Sequence, residues 1–256
     1  MMRANTDRLV AVILLLAVWV ALHQVLGAEA LASPLATLER ITVLLSGARL
    51  WGHASVTLAV WLAAFAMAAV VGVTTGLLMG LYHSAGQVAE PFISALASLP
   101  KVTLYPMVLL IFGLGVSSKM VFGFLHGVLP VLLFTLGAVR QIPLIQMKSA
   151  QAMGLSRTAC LRHVMLPSIW PSVLSGLRLG ASLTLLGVLI GEMFGAQKGL
   201  GFLLMNAMEL NDTASLSALS VLLLMVALGV NRIFSRPSQT SDSGVSGTHP
   251  EAGSGR

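Results

Sequence analysis

The chain has 256 residues, of which 56% are hydrophobic and only 9% charged, with a formal net charge of +6. A soluble domain usually carries about 25% charged residues, so fifteen Lys and Arg with nine acids cannot cover a water-exposed globule of this size, and the composition implies lipid as the other solvent. The basic residues fall between apolar runs and form no dense patch, which argues against nucleic acid as a partner, and a single cysteine, Cys160, excludes an intrachain disulfide and a cysteine-based zinc site.

Read in chain order, the apolar runs predict an all-α, polytopic membrane bundle of about six spans. The first covers about Leu9 to Gly27, long enough to cross ~30 Å of hydrocarbon. Arg3 and Arg8 precede it and Ala28-Glu29-Ala30 resembles a signal-peptidase site. The apolar core is longer than the ~7–15 residues of a signal sequence, however, so an uncleaved span is expected. Residues 1–54 then comprise this span and an extracytoplasmic connection. The membrane-embedded core is expected over 55–234, with spans from about Ser55 to Leu81, Val102 to Gly115, Lys119 to Val139, Val173 to Gly195 and Thr213 to Ile233. Before the third span, Glu90-Pro91, Leu99-Pro100-Lys101 and then Pro106 are expected to break any continuous helix. The stretch 140–170 carries five basic residues, Arg140, Lys148, Arg157, Arg162 and His163, and no acid. Its pattern predicts two short surface helices up to Trp170, interrupted at Gly154. The tail 235–256, rich in Ser, Gly, Thr and Pro, is expected to be disordered.

Basic residues set orientation. With both termini inside, the cytoplasmic segments hold Arg3, Arg8, Arg140, Lys148, Arg157, Arg162, Arg232 and Arg236, against Arg40, Arg49, Lys119 and Lys198 outside. That asymmetry predicts cytoplasmic termini in a multi-pass protein of the bacterial inner membrane.

Small residues recur at helical spacing: Gly72, Gly76 and Gly80; Gly123 and Gly127; Gly187, Gly191 and Gly195. Such stripes let another helix backbone approach, either within a tight bundle or at a subunit interface. Glu192 is the only acid inside an expected span, near its end, where it can face a polar cavity. An intramembrane carboxylate is a candidate for the translocation path, as are the charged Arg178 and Lys101. No phosphate-binding loop, nucleophile elbow, HExxH or carboxylate pair occurs, and the scattered histidines give no metal-ligand spacing. The residues therefore offer no active site and no metal site.

The stretch Lys148-Ser149-Ala150-Gln151-Ala152-Met153-Gly154, continuing to Val164-Met165-Leu166-Pro167, resembles the EAA motif of binding-protein-dependent ABC importer permeases. That pattern reads Glu-Ala-Ala, three residues, Gly, nine residues and Ile-x-Leu-Pro. Ala150, Gly154, Leu166 and Pro167 match, Val164 stands for Ile and Ser149 for a small residue, while Lys148 departs from the usual Glu. Leu99-Pro100-Lys101, Phe112-Gly113-Leu114-Gly115 with Ser118-Lys119, Ser175-Gly176-Leu177-Arg178-Leu179 and Gly199-Leu200-Gly201-Phe202-Leu203 are similar to blocks of the nitrate/sulfonate/taurine permease subfamily.

The resemblance implies a type I importer permease that pairs with a second permease copy, two cytoplasmic ATP-binding subunits and an extracytoplasmic substrate-binding protein. It implies no cofactor in this chain, with ATP and Mg on the partner ATPase. Lys148, Ser149, Ala150, Gly154, Val164, Leu166 and Pro167 would then belong to a coupling helix that docks on the ATPase. The solute would be small and polar or anionic, such as nitrate, a sulfonate, taurine or a pyrimidine vitamin precursor. The alternative from the residues alone is a secondary transporter with its own ion coupling, which predicts paired intramembrane charges and two similar halves.

Overall fold

Lipid offers no partner for a free N–H or C=O, so apolar runs of this length fold as helices. The computed structural model describes residues 2–233, and these are helical throughout apart from short links. In chain order the helices are α1 (Met2–Leu26), α2 (Pro34–Ser46), α3 (Ala48–Leu81), α4 (His83–Ser98), α5 (Tyr105–Phe112), α6 (Val116–Arg140), α7 (Leu144–Ala152), α8 (Arg157–Cys160), α9 (Leu166–Gly195), α10 (Leu200–Glu209) and α11 (Thr213–Ile233). A 3-10 turn, Lys101–Leu104, precedes α5, and a π-turn, Leu161–Met165, joins α8 to α9. Five stretches are long and apolar enough to cross a bilayer, the last of them the run leading through α9 and then α11. A sixth crossing comes from α4 and α5, bent by 90° between residues 98 and 101. The expected tail, 235–256, lies outside the described residues.

The third span corrects the sequence reading. A single run from Val102 to Gly115 was expected, with breaks at all three prolines. Pro91 instead lies within α4, and the break falls at Leu99-Pro100. A proline removes one helical hydrogen bond, and exposure at Pro91 lets that loss be met from outside. At Leu99 the residue before a proline is pushed to extended backbone, here φ −68°, ψ 136°, and the chain turns. Span two also begins earlier, at Ala48, and α2 and α10 are additional short helices. The 140–170 stretch ends sooner than expected. Leu166, Pro167 and Trp170 belong to the first turns of α9, since proline is tolerated at a helix start where no N–H partner is needed.

Helix α6 is the centre of the bundle, gripped by α3 on one side and α9 on the other. The glycine stripes explain how closely. A β-carbon at Gly72 would lie 2.8 Å from the Val131 side chain, at Gly76 2.7 Å from Thr135, and at Gly80 2.6 Å from Val139. One at Gly123 would meet Val188 at 2.6 Å, and one at Gly187 the His126 ring at 2.9 Å. Both triplets are thus occupied within the chain. Gly176 and Gly180 of α9 extend the pattern against Phe134 and Val131. Trp61 buries its ring here and donates its indole N–H to the Ala181 carbonyl at 3.0 Å.

Helix direction and cross-contacts define two ends. The links Arg40–Asp212, Thr57–Glu192 and Lys119–Lys198 gather residues 40–57, 115–119 and 192–215 at one end, termed the α10 end. The loop 141–165 lies at the other, with Gly86 and Arg140, and the outer turns of α1 and α11 (residues 2 and 233) point the same way.

Candidate functional site

At the loop end, the turn between α7 and α8 is made by Gly154, whose φ of +75° lies in the left-handed region. A residue with a β-carbon, above all a branched one, is strained there. The turn separates α7 from α8, whose four residues run on through the π-turn into α9. Lys148 and Ser149 are exposed, Ala150 is buried, Val164 is half-buried, and Leu166 and Pro167 are exposed at the start of α9. Beside them lies an apolar groove of about 380 Å³ lined by Ile145, Gln146, Ser149, Ala150, Met153, Leu155 and Val164. Ile145 is 69% and Met153 78% exposed. Behind the loop, Arg140 at the end of α6 pairs with Glu90 of α4, and its Nε and Nη2 are buried without a partner among the described residues.

The α10 end is built differently. Glu192 is 0% exposed. Gly201 N–H donates to its Oε2 at 3.0 Å, and the Thr57 hydroxyl lies 2.9 Å from both carboxylate oxygens. Thr57 Oγ1 accepts in turn from Leu200 N–H at 2.8 Å, and His53 Nδ1 accepts from Gly199 N–H at 3.0 Å. These are the orphan donors at the start of α10, so two other helices cap it and a carboxylate faces the positive end of its dipole. Gly199 has φ +124°, and a β-carbon there would land on the Glu192 carboxylate. The similar block Gly199-Leu200-Gly201 thus has a steric reason.

The expectation that Glu192 faces a polar cavity is corrected: its oxygens are enclosed by Thr57 and α10. Nor do the three path candidates form one cluster. Arg178 is half-buried on α9, about 21 Å along the helix axis from Glu192, and Lys101 is half-buried in the 3-10 turn. His53, Thr57 and Lys119 escaped the sequence reading. His53 and Thr57 sit one turn apart on one face, a signal hidden because that span was expected to begin at Ser55. Lys119, read as a charge at a span boundary, is 5% exposed, and its Nζ donates to the Lys198 carbonyl at 3.4 Å. Outside the spans, Arg40 of α2 pairs with Asp212 at 3.1 Å, and Ser215 donates to the same carboxylate. Burial pushes the Asp212 carboxyl up, but the Ser215 and Arg40 bonds outweigh it and hold it below its ordinary value.

Three comparisons bear on this geometry. The chain is similar to the taurine transport system permease protein of Escherichia coli, 28% identical over 86% of this chain and 84% of that protein. It is 32% identical to the riboflavin transport system permease protein of Chloroflexus aurantiacus over 80% of this chain and 77% of the relative. A putative aliphatic sulfonates transport permease protein of Bacillus subtilis is 26% identical over 78% of this chain and 75% of its own length. Among solved structures, the MetNI methionine ABC transporter in an inward-facing conformation superposes with a TM-score of 0.62 at 18% identity, covering 73% of this chain and 96% of that one. The last likeness carries the fold alone, a bundle of helices. The sequence family described as binding-protein-dependent transport system inner membrane component matches residues 72–236. A transport subunit with a separate ATPase, and not an enzyme, is what this match over most of the chain identifies, and the protein belongs to the binding-protein-dependent transport system inner membrane components.

Proposed function

We propose that this permease subunit couples to its ATPase through the 148–167 segment, works as a homodimer with cytoplasmic termini, and imports a small polar or anionic solute. The observation that carries the proposal is the left-handed turn at Gly154, which holds two short helices and an apolar groove outside the bundle with Lys148 and Ser149 exposed. A short helix anchored to α6 on one side and to α9 on the other passes rigid-body motion to both, as alternating access requires. ATP and Mg would bind on the partner subunits. Orientation is supported by the grouping of Arg140, Lys148, Arg162 and Arg232 at the loop end and of Arg40, Arg49, Lys119 and Lys198 at the other. The names of the taurine, sulfonate and riboflavin relatives support a small solute delivered by a binding protein.

The test is reconstitution of the chain with its ATPase subunit and binding protein in lipid. ATP turnover should rise with loaded binding protein, and Gly154→Val should abolish that rise while leaving membrane insertion intact. Uncoupler-sensitive uptake by the chain alone would overturn the coupling and favour a secondary transporter.

A further inference from the structure

Helix α4 presents three faces of different character. Gly86, Ala89, Ile93 and Ala97 share the face that packs on α3 and α6, where Ile93 is buried with Leu129 and Leu132. Val88, Phe92 and Leu96 form a second face, apolar and exposed. Gln87, Ser94 and Ser98 are also exposed. At about 100° per residue they fall within an arc of about 40°, about 140° round the helix from the apolar face. Glu90 flanks this third face, where Arg140 pairs with it. A helix with lipid on all its exposed sides is apolar on all of them. This one is divided, and hydrocarbon suits only the second face. A serine alone is weak evidence, since its hydroxyl can return to its own helix, as that of Ser98 does to the Ser94 carbonyl at 2.9 Å.

The bend that follows is the second observation. Before it, Ala97 packs with α6 residues 128–136, and after it the Tyr105 ring meets Phe122 at 4.9 Å between centres. Lys101, in the turn between, is near enough to act electrostatically on the ring of His126. That histidine lies about 15 Å along α6 from its start at Val116 and about 21 Å from its end at Arg140. The bend is therefore opposite the middle of a span. Leu99, Pro100, Val102 and Thr103 are exposed there, and Lys101 is half-buried. Non-helical backbone at membrane depth is tolerated only inside protein or along water. An ammonium at that depth likewise faces a bundle interior or a water-filled cavity. Neither ion pair among the described residues includes Lys101. A polar helix face thus runs into an open backbone break and a charge, and both of these need water.

We infer that the polar face of α4 and the adjoining bend are a wall of the water-filled solute path, with Lys101 as its charge at mid-depth. The apolar face of the same helix meets lipid. The inference rests on the importer reading for what moves along the path; which face water reaches is a property of the assembled bundle.

The test is thiol labelling in the complete complex of permease, ATPase and binding protein in phosphatidylcholine nanodiscs, with and without ATP. Ser94→Cys and Ser98→Cys sample the polar face, and Phe92→Cys and Leu96→Cys the apolar one. The native Cys160 is buried and sets the background. The probes are cationic trimethylammonioethyl and anionic sulfonatoethyl methanethiosulfonate, which do not enter hydrocarbon. The thiolate attacks the probe's sulfenyl sulfur, a disulfide forms and methanesulfinate leaves, so a lipid-facing thiol, which stays protonated, reacts slowly. Ser94→Cys and Ser98→Cys should label about tenfold faster or more than Phe92→Cys and Leu96→Cys in at least one nucleotide state. At Ser98→Cys the anionic probe should be favoured over the cationic one. Lys101→Gln should cut that preference several-fold and Lys101→Arg should keep it. If Lys101→Gln does not assemble, the comparison of faces decides alone. Equal labelling of the two faces, faster labelling of the apolar one, or a probe preference untouched by Lys101→Gln would overturn the wall. Labelling at neither face, with ATP turnover still stimulated by the binding protein, would place protein against α4 and remove the path while the importer stands. The expected labelling without stimulated turnover would keep the wall and remove the coupling.

Discussion

The two ends of this bundle solve opposite problems with the same kinds of residue. At the α10 end the N–H groups of Gly199, Leu200 and Gly201 each meet an acceptor from α3 or α9, and an interior carboxylate is enclosed by donors of its own chain. At the loop end large apolar side chains stand in the open, two nitrogens of Arg140 lack partners among the described residues, and a β-carbon at Gly154 would have open space around it. One end is finished by the chain itself. The other is left open by the described residues, and substitutions should separate the two by which measurement they move.

The largest effect on the chain alone is expected at Glu192. Glu192→Ala leaves Gly201 N–H and the Thr57 hydroxyl buried without an acceptor and opens a cavity, a cost of about 3 kcal/mol or more. The thermal midpoint of the purified chain should fall, and hydrogen exchange at residues 199–201 should rise first. Glu192→Gln, which keeps an acceptor oxygen, should fall less, and equal losses would show that the carboxylate is not acting as the cap. Next comes the left-handed turn. Gly154→Val should cost about 1–2 kcal/mol of backbone strain, and Gly154→Ala less than that, while stimulated ATP turnover in the complex collapses. A variant that melts like wild type and turns over normally would make residue 154 a spacer.

Smaller still is the Arg40–Asp212 link, which is exposed and screened. The Asp212 pKa is held below its unfolded value, so its contribution is present above the ordinary carboxylate range and is lost as pH falls through the depressed folded value. Wild type should lose stability in that acid window slightly more steeply than Asp212→Asn, and parallel pH profiles would remove the link from the account. The smallest effect on the isolated chain is at Lys148, where Lys148→Glu should leave the melting midpoint within about 0.5 kcal/mol, as for an exposed site. Because Lys148 stands where the family usually has Glu, an acid is expected opposite it on the native ATPase; Lys148→Glu should then weaken assembly through like charge, and a charge reversal on that facing residue should restore it. Unchanged complex yield and turnover would leave Lys148 a tolerant surface position.

The long spans, the glycine stripes and the bend at Gly154 were legible because each rests on local pattern: apolar length, four-residue spacing, and a residue type that alone tolerates a left-handed backbone. Helix α10, ten residues long, was not, since a short apolar segment carries little period and its cap comes from residues 53, 57 and 192. The same holds for Lys119. A lysine at the first turn of a span reads as a surface charge, and only the fold of α6 against α9 and the 196–199 link buries it. Pro91 misled in the other direction, because an exposed face of α4 accommodates a proline that an interior face would not.

The π-turn at Leu161–Met165 has a mechanical consequence. It joins α8 to α9 without interrupting helical backbone, so Thr158–Gly195 is one continuous helical stretch of 38 residues, with about 57 Å of path at 1.5 Å per residue. Close contacts at Gly176, Gly180, Gly187 and Gly191 pack its second half along α6. The end that emerges beside the apolar groove and the end next to Lys119 and the α10 cap are thus the two ends of one continuous helical stretch, joined through the backbone itself.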